Sequence, residues 1–215
     1  MKNFSIIIIV VILLASCGKK TRSIAISGNI FDPALKIPVE NTKVILKASK
    51  IEGGIYNPNY VEIASATTDI SGNYEMNINI EKVSGYRFVI EKTNYFSSEE
   101  DIKTDILETN STYSYSKNIF PIASIHLMVS NKTPQSMDDE IKYRYTNIES
   151  QCKTCCNNNP ITGTGPSYSA DSQCDTRGET WINLVWVVTK NGIQHLYQDS
   201  IFTHAFQTSN YKIDY

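Results

Sequence analysis

Five cysteines and three histidines are the side chains of this 215-residue sequence with the greatest capacity for chemistry. Cys152, Cys155, Cys156 and Cys174 bracket a segment rich in turn-forming residues. Four cysteines allow three disulfide pairings, and the strain of joining the adjacent Cys155 and Cys156 disfavours one of them. Two pairings stay open, 152–155 with 156–174 and 152–156 with 155–174. A four-thiolate zinc site is the weaker alternative, because the second Cys-x2-Cys pair of a zinc knuckle is missing.

Other catalytic arrangements are missing from the sequence. His126, His195 and His204 are dispersed, and no Gly-x-Ser-x-Gly elbow, His-Glu-x-x-His pair or Walker-type loop occurs. Redox catalysis by Cys152-x-x-Cys155 is disfavoured because no βαβ pattern surrounds it. The charge is −2, from 20 Lys+Arg against 22 Asp+Glu, which does not indicate nucleic-acid binding. We expect no catalytic residues, no metal, no cofactor and no nucleic-acid partner, and the enzyme hypothesis ranks last.

The fifth cysteine ends an N-terminal targeting segment. Lys2 precedes an apolar run over residues 6–15, about half of the roughly 20 residues that a membrane-spanning helix needs. Leu14-Ala15-Ser16-Cys17 resembles the bacterial lipobox, which implies cleavage before Cys17, a diacylglycerol thioether on its sulfur and an acylated amino group. The alternative is a plain signal peptide with an incidental cysteine. We expect residues 1–16 to be a lipoprotein signal peptide and the lipid on Cys17 to be the membrane anchor.

Residues 17–23 form the expected lipidated tether. Its Lys19, Lys20 and Arg22 are basic, whereas some Bacteroidetes lipoproteins carry an acidic run here that directs them to the cell surface. We therefore expect outer-membrane attachment, with the periplasm-facing orientation slightly preferred. The basic residues could contact anionic head groups or serve only as spacer. An exported chain meets an oxidising compartment, which favours disulfides over zinc.

Alternation of apolar and polar residues predicts strands through residues 24–118. The clearest case is Tyr74, Met76, Ile78 and Ile80, which alternate with Asn73, Glu75, Asn77 and Asn79. Residues 69–73, Asp-Ile-Ser-Gly-Asn, predict a turn that closes a hairpin. Asp69 could serve that turn or bind calcium, and the turn is favoured because the loop lacks the other ligands of an EF-hand.

Several segments carry a family resemblance: Ile26-Ser-Gly-Asn-Ile-Phe-Asp, Thr68-Asp-Ile-Ser-Gly-Asn-Tyr and Tyr86-Arg-Phe-Val-Ile-Glu-Lys-Thr-Asn-Tyr. Residues 24–96 resemble the carboxypeptidase regulatory-like, or transthyretin-like, β-sandwich domain. The resemblance implies an accessory module and a seven-stranded sandwich, and it implies no peptidase activity, because the sequence has no His-x-x-Glu pair.

A second domain of strands is expected over residues 119–215. Residues 181–188 are apolar on both faces, which is typical of a central strand, and Asn191-Gly192 predicts a hairpin. We expect no helix anywhere. The fold class is therefore all-β, with two antiparallel β-sandwich domains, 24–118 and 119–215, after the signal peptide.

The cysteine-rich loop at 150–180 is the expected contact surface, because long loops on rigid sandwiches often carry binding function. The alternative is an insertion stapled for protease resistance. We expect a non-catalytic envelope module that meets an envelope protein, a peptide or a glycan. A fimbrial, pilus-type structural subunit is the second hypothesis.

Overall fold

The computed structural model describes residues 22–52, 55–80, 83–148, 152 and 154–215, so the predicted signal peptide and the lipid-bearing Cys17 lie outside the described residues. The fold is all-β, with two β-sandwiches in succession along the chain. Among the described residues, no helix has the length and apolar content to cross a membrane.

The first sandwich is built from two sheets whose strands follow the predicted alternation. One sheet has the order β2-β1-β5, with β8 and β9 also paired to β1, and the other has the order β4-β3-β6-β7. Most pairs are antiparallel, while β8 and β9 run parallel to β1. The strands are β1 Ser23–Asp32, β2 Ile37–Pro38, β3 Lys43–Glu52, β4 Ile55–Thr67, β5 Asn73–Asn79, β6 Val83–Glu91, β7 Ser98–Ile102, β8 Thr112–Ser114 and β9 Lys117–Asn118.

The apolar faces predicted for the first domain form its core. Tyr74, Met76 and Ile78 are buried, and the Asn and Glu residues between them are exposed. Burying one face of each strand removes apolar area from water at roughly 25 cal/mol per Å², the main stabilising contribution to a sandwich. The core also contains Ile24, Ile26, Ile30, Val44, Leu46, Ala48, Tyr86, Phe88 and Ile90.

Two local expectations for this domain are wrong. The turn at residues 69–73 does not close a hairpin, because β4 pairs with β3 while β5 pairs with β1 in the opposite sheet. Asp69 nevertheless stabilises the turn, since its Oδ1 accepts the backbone N–H of Ser71 at 2.8 Å and of Asn73 at 2.9 Å. A helix, α1 Thr104–Thr109, also forms where none was expected, and its Leu107 is fully buried in the core.

The second sandwich pairs a sheet of order β13-β10-β16 with a sheet of order β12-β11-β14-β15. Strand β14 lies between β11 and β15, which confirms the central strand expected from its two apolar faces. The core gathers residues from both sheets, among them Ile125, Leu127, Ile141 and Leu184. The strands are β10 Ile122–Ser130, β11 Glu140–Thr146, β12 Ile161–Thr164, β13 Ser169–Arg177, β14 Thr180–Lys190, β15 Ile193–Thr203 and β16 Thr208–Asp214.

The link between the sandwiches is bonded to both of them. The N–H of Ile122 donates to the carbonyl of Asn94 at 2.8 Å, and the N–H of Phe206 donates to the carbonyl of Ile122 at 2.8 Å. The rings of Tyr95 and Phe206 meet edge to face, 5.4 Å apart. These hydrogen bonds and the ring contact join the two sandwiches directly.

Candidate functional site

The four cysteines form two disulfides, Cys152–Cys155 and Cys156–Cys174, with Cα–Cα distances of 5.1 and 4.9 Å. This is one of the two pairings that the sequence left open. The backbone N–H of Cys156 donates to the carbonyl of Asp175 at 2.8 Å. The Ser124 hydroxyl donates to the Asp175 carboxylate at 2.7 Å. The segment is therefore fastened to the sheet through β13.

The segment at 150–180 differs from the loop that the sequence predicts. Strand β12 pairs with β11, and β13 pairs with β10 over its whole length, so much of the segment belongs to the two sheets. Residues 150, 151 and 153 lie outside the described residues. Residues 161–164 and 169–177 are therefore strand rather than loop, and the loop within the described part of this segment is reduced to residues 152 and 154–160, residues 165–168 and the short β13–β14 turn.

The histidines lie in separate surroundings. His126 lies between Asp171, 2.6 Å from its Nε2, and Asn210, 2.9 Å from its Nδ1. The hydrogen bond to Asp171, followed by that to Asn210, raises the imidazole pKa above its ordinary value. His204 lies 3.7 Å from Glu179, while His195 lies in the groove described next. Within the described residues, no group of three His, Cys, Asp or Glu side chains is placed to hold a metal.

A groove of about 570 Å³ opens at the end of the second sandwich near the β14–β15 turn. That turn is the predicted hairpin, with Asn191 and Gly192 at φ 51° and 76° closing the pair Lys190 and Ile193. The sheet side of the groove consists of inward-facing residues of the hairpin. The opposite side consists of the chain end and the β10–β11 connection. The groove is lined by Trp186, Val188, Lys190, Asn191, Ile193, His195 and Tyr197 on the first side and by Lys132, Thr133, Gln135, Asp214 and Tyr215 on the second.

The groove exists because the two sheets differ in width. Among the described residues, a three-stranded sheet faces a four-stranded one, so the inward face of the edge strand β15 is only partly covered. Ile193 and Tyr197 face inward but remain 61% and 45% exposed. The ring of Tyr197 stacks on Trp186 with centroids 5.6 Å apart and planes 15° apart. An aromatic floor is thus open to a ligand.

A hydrogen-bond network that runs from exposed groups to the buried Asn131 and Asp139 fixes the polar side of the groove. Lys190 Nζ donates to the Thr133 carbonyl at 2.5 Å and to the Asn131 side-chain oxygen at 3.1 Å. Asn131 donates in turn to the fully buried Asp139, 2.9 Å away. Asp139 also accepts the N–H groups of Gln135 and Ser136. These bonds, led by the one from Asn131, hold the pKa of Asp139 below its ordinary value. The groove is therefore preformed.

Tyr215 lines the groove, and Tyr211 packs edge to face against Trp186 with ring centroids 6.4 Å apart; both tyrosines stay protonated at neutral pH. Burial raises the pKa of Tyr215 to about 12, with smaller contributions from Tyr168 and Asp139. Burial also raises the pKa of Tyr211 to about 12, and its hydroxyl donates to the carboxylate of Asp199. Preformed concavity, aromatic surface and a few fixed polar groups are the usual features of a binding site.

The site residues were not predicted, apart from His195, which the sequence offered only as one of three dispersed histidines. Strand periodicity places Trp186, Tyr197 and Ile193 on one face of a hairpin, and such a face is usually core. The bonds from Lys190 to Asn131 and Thr133 join residues 59 and 57 positions apart. The Asn191-Gly192 turn was the available signal, since it fixed the register that places these side chains together.

No family model and no curated protein matches the sequence. Similar solved structures include the Bacillus anthracis TIE protein, at 9% identity and a TM-score of 0.38 over 89% of this chain. A streptococcal ancillary pilin matches at 11% identity and 0.33 over 91%. The shaft pilin SpaA from Lactobacillus rhamnosus GG matches at 9% and 0.34 over 90%.

The chain spans 34% of the TIE protein, 63% of the ancillary pilin and 97% of SpaA.

Proposed function

We propose that the protein is a non-catalytic envelope lipoprotein that binds a glycan in the groove of its second sandwich. The observation that carries the proposal is the open aromatic floor, formed by Tyr197 stacked on Trp186 and rimmed by fixed polar groups. Sugar rings present alternating C–H faces and hydroxyls, which fit an aromatic surface beside hydrogen-bonding side chains.

The direction of the β15 backbone favours a glycan over a peptide. An extended peptide gains most of its affinity from main-chain hydrogen bonds to a sheet edge. Inside the groove, β15 presents side chains, because its backbone polar groups lie in the plane of the sheet. A ligand in the groove therefore meets Tyr197, His195 and Lys190 rather than a row of amides. A peptide that bound here in place of any glycan would contradict the proposal.

Loss of the aromatic floor tests the site. We expect the Tyr197→Ala variant to lose about fivefold in affinity for a glycan that the parent binds, since stacking on one aromatic ring is worth about 1 kcal/mol. The measurement is isothermal titration of the detergent-extracted lipoprotein. The probes are neutral tetrasaccharides of glucose, xylose and N-acetylglucosamine, and a set of extended octapeptides.

The matched control is Trp181→Ala. Trp181 is 58% exposed but lies on the outward face of β14, where it packs against Phe202 with ring centroids 5.1 Å apart. Its removal is expected to leave glycan affinity unchanged. Equal losses in the two variants, or a parent that binds none of the tetrasaccharides, would overturn the glycan proposal.

We also propose that a lipid on Cys17 anchors the module to the outer membrane, facing the periplasm. Two or three acyl chains, at roughly 0.8 kcal/mol per buried methylene, hold a protein on a membrane where one chain does not. The resemblance of residues 24–96 to the carboxypeptidase regulatory-like domain accords with an accessory role, and we retain it as part of this proposal.

The anchor predicts that Cys17→Ala leaves the protein unlipidated and releases it from the membrane fraction. Intact-mass measurement of the parent is expected to show the mass of the acyl groups, and the same spectrum under non-reducing conditions reports the two disulfides. The control is Ser16→Ala, which changes the preceding small residue and keeps the sulfur. A Cys17→Ala form that is processed and still fractionates with the membrane like the parent would disprove the lipid anchor.

A pilus-type structural subunit is the second candidate function. The specific observation in its favour is the exposed edge strand β15, since unprotected strand edges support assembly. Polymerisation would give ladders on SDS gels, whereas the binding module does not require them.

A further inference from the structure

Strand β15 is an edge strand that carries little of the usual protection against strand pairing. It is 11 residues long, lies at the end of its sheet, and is exposed from Ile193 to Ser200. Its ladder with β14 runs without a bulge. The segment contains no Lys, Arg or Pro, the residues that commonly block edges, and its one carboxylate is Asp199. Such an edge is a template for another strand.

The turn fixes which backbone groups of β15 are available. In a two-residue hairpin the closing pair, here Lys190 and Ile193, is hydrogen-bonded, and bonded pairs then alternate along the ladder. Odd-numbered residues of β15 therefore bond to β14, and even-numbered residues direct their N–H and C=O to the free edge. At Ser200 the N–H donates to the neighbouring Asp199 carboxylate at 2.7 Å. Gln194, Leu196 and Gln198 provide the central free groups.

We propose that a second copy of this chain occupies this edge, with the two β15 strands antiparallel about a two-fold axis at Tyr197. In this register Leu196 of each copy exchanges both main-chain hydrogen bonds with Gln198 of the other. Tyr197 meets its own counterpart as a non-bonded pair across the axis. An axis normal to the sheet keeps inward residues opposite inward residues, so the pleats of the two strands match.

Charge complementarity selects this register among those that match the pleat. With the axis at Tyr197, His195 of each copy lies opposite Asp199 of the other, so an imidazole donor faces a carboxylate twice. Ile193 then lies opposite Ile201, an apolar pair. Moving the axis by one residue to Leu196 places Ile193 opposite Asp199 and leaves the carboxylate against an apolar side chain. The hydrogen-bonding His195–Asp199 pairs and the apolar Ile193–Ile201 pairs both favour the first register.

The dimer joins two β12-β11-β14-β15 sheets into one continuous sheet. Because the axis is normal to the sheet, both grooves open on the same side, on either side of the paired Tyr197 residues. The contact is isologous, so it pairs the β15 edges of both copies and leaves neither edge free for a third copy. It goes beyond the proposed glycan site, and it is a closed alternative to pilus-type polymerisation.

Engineered disulfides test the register in the cell envelope, where the proposed lipid anchor places the protein. Non-bonded antiparallel partners have Cα atoms about 4.5 Å apart, within disulfide range. Tyr197→Cys is therefore expected to give a covalent dimer on non-reducing gels. Ser200→Cys is the control, because the two Ser200 positions lie roughly 20 Å apart in this register. A dimer from Ser200→Cys with none from Tyr197→Cys would overturn the register.

A proline at the edge tests the interface without the new cysteines. Gln198→Pro removes an N–H that points away from β14, so the hairpin keeps its ladder while the edge loses a donor. We expect the parent to sediment as a dimer in density-matched detergent and Gln198→Pro to weaken association at least tenfold. Gln198→Thr, which keeps the N–H, should sediment as the parent does. A parent that stays monomeric, or that forms open ladders, would overturn the proposal.

Discussion

Replacing Gly28 with alanine is expected to cost the first sandwich roughly 3 kcal/mol, the upper range for an added methyl group in a tightly packed site. A Cβ at this position would lie 1.7 Å from the carbonyl oxygen of Tyr115 and 3.0 Å from a ring carbon of Tyr74. The Tyr74 hydroxyl donates to that same carbonyl at 2.7 Å, so the carbonyl cannot move without losing a buried partner. Displacing Tyr115 would also separate its ring from Phe88, 4.0 Å away.

Denaturant unfolding followed by circular dichroism measures this loss, and the matched control is Ser27→Ala. Ser27 is the exposed neighbour of Gly28 on β1 and already has a Cβ, so its change is expected to stay within about 0.5 kcal/mol. Both tryptophans lie in the second sandwich, so their fluorescence provides an internal reference. If Gly28→Ala and Ser27→Ala unfold at the same denaturant concentration, the contact at Tyr115 does not constrain β1.

Local patterns predicted the main strands of the first sandwich because strands such as β5 are buried on one face and exposed on the other. The alternation from Asn73 to Asn79 appears unchanged in the burial of β5. The same local information could not show whether the two strands joined by the turn at residues 69–73 pair with each other. Asp69 bonds the N–H groups of Ser71 and Asn73 as a hairpin turn would, yet the chain crosses to the other sheet. Strand pairing depends on contacts distant in sequence, which turn residues do not encode.

The groove was beyond sequence reasoning for a related reason. Ile193 and Tyr197 alternate as core residues do, and only the width of the opposing sheet leaves them uncovered. Helix α1 was not predicted because its six residues are too few to show a helical repeat of apolar residues. Its position depends on the single buried Leu107. The sequence left two disulfide pairings open. The fold selects one of them, because it places Cys174 on β13 beside Cys156.

Removing the Cys156–Cys174 disulfide is expected to destabilise the second sandwich by roughly 3 kcal/mol, because it opens a loop of 18 positions in the unfolded chain. Cys156 is 2% exposed and belongs to the core, so alanine there leaves a small cavity in addition. The bond from Cys156 N–H to the Asp175 carbonyl would remain, so the backbone attachment of this segment to β13 is kept. The variant is Cys156→Ala with Cys174→Ala, so that no free thiol can re-pair.

The comparison variant is Cys152→Ala with Cys155→Ala, which opens a loop of only 3 positions. Loop-closure entropy rises with the logarithm of loop length, so this variant is expected to lose less, roughly 2 kcal/mol or below. Tryptophan fluorescence during thermal unfolding reports both variants, since Trp181 and Trp186 lie on β14. A larger loss of stability in the Cys156–Cys174 variant than in the Cys152–Cys155 variant would confirm the expectation. If the short loop proved the more stabilising, the segment would depend on local contacts around Cys152 rather than on its covalent attachment to β13.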